Sequence, residues 1–83
     1  MDKRIEALIQ LQQKGLIEEV KNGYKKIIEE ELSNEDFYIA YINLGTIFFL
    51  EKSYEEARNC YIKSLNYNSR NEKALYNIAM TFL

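Results

Sequence analysis

The chain repeats itself, and that repetition limits its fold more than any other feature. Glu18-Glu19-Val20 recurs as Glu55-Glu56-Ala57, Tyr24 as Tyr61, Lys26 as Lys63 and Ile28 as Leu65. Ala7 and Leu11 recur as Leu44 and Phe48, and every one of these pairs is 37 residues apart. A second register, 34 residues long, carries Ala40 onto Ala74, Asn43 onto Asn77 and Leu44 onto Ile78. It also carries Gly45 onto Ala79, Phe48 onto Phe82 and Phe49 onto Leu83. Self-similarity at such a period marks stacked supersecondary units, none of which buries its apolar face alone. The three additional residues of the longer spacing are expected around Glu29–Ser33.

Apolar residues recur three and four apart in every segment and none alternates as a strand does, so the chain is expected to be all-α. The pattern predicts helices over Lys3–Lys14, Ile17–Leu32, Asp36–Leu50, Tyr54–Asn66 and Lys73–Leu83. Gly15 fits a left-handed stop after the first. Ser33 with Asp36, and Ser53 with Glu56, have the spacing of N-terminal caps, in which a serine oxygen accepts from a free backbone N–H. The stretch Asn66-Tyr67-Asn68-Ser69-Arg70-Asn71 reads as a connection. Gly23 and Gly45 fall inside predicted helices, where each costs about 1 kcal/mol against alanine. Gly45 is expected to mark a close helix approach, since its counterpart Ala79 is also small. Gly23 has no firm account in the sequence and fits either a close contact or a weak spot.

The chain has 83 residues, of which 47% are hydrophobic and 29% charged, as in a single globular domain. A domain this small buries only about 60% of the surface its unfolded chain exposes, so its stability margin is narrow. The net charge of −2, with both signs interspersed, provides no pull toward nucleic acid or an anionic membrane. The apolar-rich run from Phe37 to Leu50 is shorter than the roughly 20 residues a membrane span needs, and Asn43 and Thr46 interrupt it. The opening Met1-Asp2-Lys3-Arg4-Ile5-Glu6 is charged and leads into an amphipathic pattern rather than a secretory signal. A single cysteine, Cys60, excludes an intrachain disulfide. A reducing, cytoplasmic setting is the expectation.

An enzyme is not expected. The chain has no histidine, the commonest general base and metal ligand. Without one, Cys60 lacks the usual activating partner and reads as a small core residue. Glu29-Glu30-Glu31, with Glu35 and Asp36, read as a solvated face, because consecutive helical carboxylates point around the axis instead of converging. The glycines form no phosphate-binding loop. The tyrosines fall at repeat positions, as packing residues rather than stacking platforms for bases. No cofactor and no metal are expected.

Tyr41-Ile42-Asn43-Leu44-Gly45-Thr46-Ile47-Phe48, followed by Tyr54-Glu55-Glu56-Ala57-Arg58-Asn59-Cys60-Tyr61 and Ser64-Leu65, resembles a tetratricopeptide repeat. Tyr41, Leu44, Gly45 and Phe48 stand at the family's first-helix positions, and Ala57, Tyr61 and Ser64 at its second-helix positions. Ser69 stands where the family usually places a proline. The resemblance divides the chain into a degenerate repeat at residues 1–37, a well-matched one at 38–71 and the first helix of an incomplete one at 72–83. Leu8 and Val20 replace the glycine and alanine of the first. The implied fold is a short solenoid of antiparallel helix pairs.

The helix over Asp36–Leu50 carries two apolar stripes. The resemblance implies that Tyr41, Leu44, Gly45 and Phe48 pack inside the solenoid. The same resemblance implies that Ile39, Ile42, Asn43, Thr46 and Phe49 line a concave face that holds a protein or peptide. The same positions elsewhere are Ile5 and Ile9, and Lys73, Tyr76, Asn77, Met80 and Leu83. Packing between neighbouring helices explains the second stripe equally well, and Asn43 suits either a bound backbone or its own helix. Some family members clamp an acidic tail with cations at the positions held here by Ile5 and Ile9, so recognition is expected to be apolar. In the last helix Leu75, Ile78, Ala79 and Phe82 are expected to face the preceding repeat. With Tyr76, Met80 and Leu83 also apolar, its uncovered side, including Leu75, Phe82 and Leu83, suggests self-association into a homo-oligomer, or a scaffold fragment of a longer array.

Overall fold

A computed structural model describes residues 1–68 and 71–83. Among these the chain forms five helices and no strand: α1 (Lys3–Gln13), α2 (Ile17–Ile27), α3 (Asn34–Leu50), α4 (Tyr54–Ser64) and α5 (Glu72–Met80). Each helix packs on the next in chain order. The fold is all-α. No helix is long and apolar enough to cross a membrane. Ser69, whose place in the connection was compared with a proline above, lies outside the described residues.

The 37-residue register reappears in the backbone. Displaced by that spacing, α2 falls on α4 end for end. The connections match as well: Gly15 has φ +83° and its counterpart Lys52 has φ 64°, both left-handed. The next residue closes each turn, with Leu16 N–H donating to Leu11 O at 3.2 Å and Ser53 N–H to Phe48 O at 2.9 Å. This backbone closure leaves Ser53 outside the extended conformation of a capping residue, and its side chain caps nothing, contrary to expectation. The starts of α1, α3 and α5 are side-chain capped. Asp2 accepts from Arg4 N–H at 2.8 Å, Ser33 from Asp36 N–H at 3.1 Å and Asn71 from Ala74 N–H at 2.9 Å.

Several helix ends fall short of the expected bounds. α2 stops at Ile27 instead of Leu32, because Glu29-Glu30-Glu31 would place three carboxylates at the negative end of a helix. α4 stops at Ser64, before Asn66, and α5 runs from Glu72 only to Met80. α3 starts at Asn34, directly after its Ser33 cap. The extra residues of the 37-residue spacing thus lie in an added first turn of α3, and not in a longer loop.

α3 is sandwiched, as its two stripes require. It packs on both α2 and α4 and buries Ala40, Ile42, Leu44, Gly45, Ile47 and Phe48. Ile5, Val20, Tyr24, Ile27, Ala57, Cys60, Tyr61 and Ala74 complete the core from the other four helices. Fully burying a side chain such as Ile47 contributes roughly 1.5–3 kcal/mol.

The interior glycines reveal how each pair closes. A Cβ on Gly45 would lie 2.7 Å from Tyr61 Cε1 and 3.2 Å from Cys60 Cβ, so the close approach read from the sequence is present. The counterparts of Gly45 and Cys60 in the first pair are Leu8 and Gly23. There the small residue sits on the second helix: a Cβ on Gly23 would run into Leu8 Cδ2 and lie 3.3 Å from Cδ1. Gly23 makes room for Leu8, so of its two readings the close contact is the one present.

Candidate interaction groove

The residues expected on the concave face divide into two groups. In the N-terminal half they serve the fold. Ile5 is fully buried and Ile42 is 4% exposed, so neither lines an open surface. Ile9 and Ile39 are half-buried against the core. The Asn43 amide donates to Tyr24 Oη at 3.0 Å, and Thr46 Oγ1 donates to Ile42 O at 3.0 Å and lies 3.1 Å from Tyr61 Oη. Burial raises both tyrosine pKa values above the ordinary phenol value, with Asn43 and Thr46 acting in the opposite direction. Their hydroxyls are neutral packing groups. The expectation for Ile5 and Ile42 is corrected: adjacent helices cover that stripe before a partner can reach it.

In the C-terminal half the expected residues meet at two adjoining concavities. One, of about 170 Å³, is lined by Phe49, Tyr61, Tyr76, Asn77 and Met80. The other, of about 240 Å³, is lined by Phe49, Tyr54, Met80, Thr81 and Leu83. Phe49 and Met80 belong to both, so α3, α4 and the end of α5 form one apolar groove without a charged side chain in its lining. Phe49 is held edge-on against Tyr54, with ring centroids 5.3 Å apart. Lys73 is exposed but lines neither concavity. Tyr54 and Tyr61 were not expected here. Their helix packs beside α3 and α5, which a reading of the first-helix faces alone does not show.

Asn77 sits where Asn43 does in the previous repeat. Asn43 is tied to Tyr24, whereas Tyr61, the counterpart of Tyr24, is bonded to Thr46. The smaller concavity has Asn77 and Tyr61 together in its lining. An amide beside an apolar cavity can bond a bound backbone while the cavity takes a side chain.

The end of α5 differs from expectation. Ala74 and Thr81 are buried and Ile78 is half-buried, whereas Leu75 is 51% exposed, Phe82 67% and Ala79 also exposed. Leu75 and Ala79 therefore do not face the preceding repeat, and Phe82 meets it only on the ring face covered by Arg58. They are counterparts of Tyr41, Gly45 and Phe48, and Gly45 meets α4, the helix that follows its own. No described helix occupies the corresponding side of α5. Arg58 fastens the end from the other side. Its Nε donates to Thr81 Oγ1 at 2.9 Å, and its guanidinium lies 3.7 Å from the centre of the Phe82 ring.

Cys60 is buried in the α3–α4 contact, and burial pushes its thiol pKa up to about 11. Among the described residues no three carboxylate or thiol groups come together to hold a metal ion. No family model, curated protein or solved structure matches the chain.

Proposed function

We propose that the chain is a tetratricopeptide-like interaction module that holds an apolar segment of a protein or peptide in the groove between α3 and α5. The single observation that supports this reading most is the pair of adjoining apolar concavities sharing Phe49 and Met80, with Asn77 beside them. Tyr76, 65% exposed, extends the apolar surface outward. The partner is read as polypeptide and not nucleic acid, because the groove lacks cations to meet phosphate. The buried, unpaired Cys60 suits a reducing compartment, and the proposal places the chain in the cytoplasm.

A partner isolated from the native extract tests the groove against Met80→Glu. The charge should weaken binding at least tenfold without changing the helical circular dichroism. Unchanged affinity in a folded Met80→Glu protein would remove the groove from consideration.

A second reading, self-association, is favoured by the exposed Leu75, Phe82 and Leu83 at the α5 end. Sedimentation equilibrium of wild type and Leu75→Glu tests it. A concentration-dependent dimer lost in the variant supports that reading, and a monomer at millimolar concentration eliminates it.

A further inference from the structure

A further concavity lies away from the groove, between α1 and α2. It holds about 360 Å³ over a floor that includes Ala7, Leu8 and Gly23, with Arg4, Lys26 and Glu30 at its rim. The corresponding space in the second helix pair shows what such a site accepts. The counterparts of Arg4 and Glu30 are Tyr41 and Tyr67, whose rings stack 6.0 Å apart at 9°. Phe37 joins them 4.8 Å from Tyr67. Lys63, the counterpart of Lys26, lies 5.9 Å from the centre of the Tyr41 ring. In the first pair the rings are replaced by an ion pair, in which Arg4 Nη1 donates to Glu30 Oε2 across two exposed side chains. At positions where one pair carries stacked aromatic rings, the other carries Arg4 and Glu30 beside an open trough, with the lysine retained.

We infer that this concavity receives an aromatic side chain of a partner protein, seated on Leu8 and Gly23 beneath Lys26. Three observations select that occupant. The equivalent positions of the second pair carry the chain's own stacked rings beside a lysine. Lys26 makes no ion pair among the described residues, leaving its ammonium for a ring face. The site is a surface trough, with Arg4, Ala7, Lys26 and Glu30 all exposed. It is too open to bury most of a free small molecule, as small-molecule sites do. A ring presented by a larger partner is anchored elsewhere and does not need that enclosure. This site is separate from the α3–α5 groove, and the inference stands without it.

Amide chemical shifts of the isotope-labelled protein, titrated with N-acetyl-phenylalaninamide, test the assignment. Saturable shifts are expected at Ala7, Leu8, Gly23 and Lys26, with a dissociation constant on the order of millimolar. N-acetyl-leucinamide should bind roughly three- to tenfold more weakly, because it lacks a ring face. Arg4→Tyr/Glu30→Tyr rebuilds the stack of the second pair, and Ala7→Phe fills the trough by a different route. Either folded variant should lose the shifts. Equal binding of the leucine amide, or shifts that survive in both filled variants, would overturn the inference. Tighter binding of free phenol than of the phenylalanine amide would also overturn it, in favour of a small-molecule site. Concentration-dependent shifts at the same amides without ligand would overturn it in favour of a second copy.

Discussion

The two complete helix pairs share one backbone plan and close it with opposite side chains. In α3–α4 the first helix supplies the small residue, Gly45, and the second supplies the bulk, Tyr61 and Cys60. In α1–α2 the first helix supplies the bulk, Leu8, and the second the space, Gly23. Across the mouth of the same interface, stacked Tyr41 and Tyr67 in one pair become paired Arg4 and Glu30 in the other. The second pair thus carries stacked rings at this mouth, while the first carries an ion pair beside a trough of about 360 Å³. A backbone repeat thus tolerates exchange of its packing partners if the small and large residues are exchanged together. The better-filled pair should be the less tolerant of added atoms.

The largest expected effect comes from forcing the first pair's residue onto the second. Gly45→Leu drives a whole side chain into the buried Tyr61 ring and should cost more than about 3 kcal/mol. Gly45→Ala should still cost roughly 1–3 kcal/mol, although alanine alone favours a helix by about 1 kcal/mol. Gly23→Ala meets the Leu8 side chain, first at Cδ2, the mobile end of a half-buried residue beside open space. It should be neutral or stabilising by up to about 1 kcal/mol. Urea unfolding of the three variants orders them directly. The comparison breaks if the two alanine variants lose equal stability.

The plan of the fold was legible in the sequence because its two registers are long and nearly unbroken. Gly45 was legible because Ala79 repeats its smallness. Gly23 was not, because its meaning depends on a residue in another helix. Only the joint exchange of Gly45 and Cys60 for Leu8 and Gly23 explains it. The groove was half legible for a related reason. Helical periodicity assigned Ile5, Ile42, Phe49 and Met80 to one kind of face, but it does not say which faces a neighbour covers. Packing covers Ile5 and Ile42 and leaves Phe49 and Met80 beside open space. Tyr61 lines that space from a helix read only as packing, and the α5 side carrying Leu75 and Phe82 faces outward for want of a described helix against it. The overlong α2 was predicted because Ile28 and Leu32 continue the apolar spacing while the intervening glutamates oppose it.

A smaller effect separates the two interhelical turns. Gly15 and Lys52 occupy equivalent left-handed positions, but a side chain there costs about 1 kcal/mol. A Cβ on Gly15 would have nothing within 4 Å, so any penalty for Gly15→Ala is conformational and should be about 1 kcal/mol. Lys52→Gly relieves the corresponding strain but frees the unfolded chain, for a net gain of about 0.5 kcal/mol. The melting temperature should fall for the first variant and rise for the second. Shifts of the same sign would mean that the turns are not equivalent.

The smallest effect distinguishes the caps at the starts of α1 and α3. Asp2 caps α1 through a carboxylate, whereas α3 is capped by the Ser33 hydroxyl, which does not titrate in this range. The hydrogen bond from the Arg4 side chain, supported by that from its backbone N–H, lowers the Asp2 pKa from 3.8 to about 2. The folded state therefore holds this proton less readily than the unfolded chain. Its contribution to stability is complete above pH 4 and disappears as the pH falls toward 2. Asp2→Ser copies the α3 cap and removes this dependence, so wild type should lose stability relative to the variant on acidification across that window. Hydrogen exchange of the first-turn amides of α1 reports the same change locally, with protection falling in wild type and steady in the variant. Parallel acid responses in the two proteins would show that the Asp2–Arg4 contact does not stabilise α1.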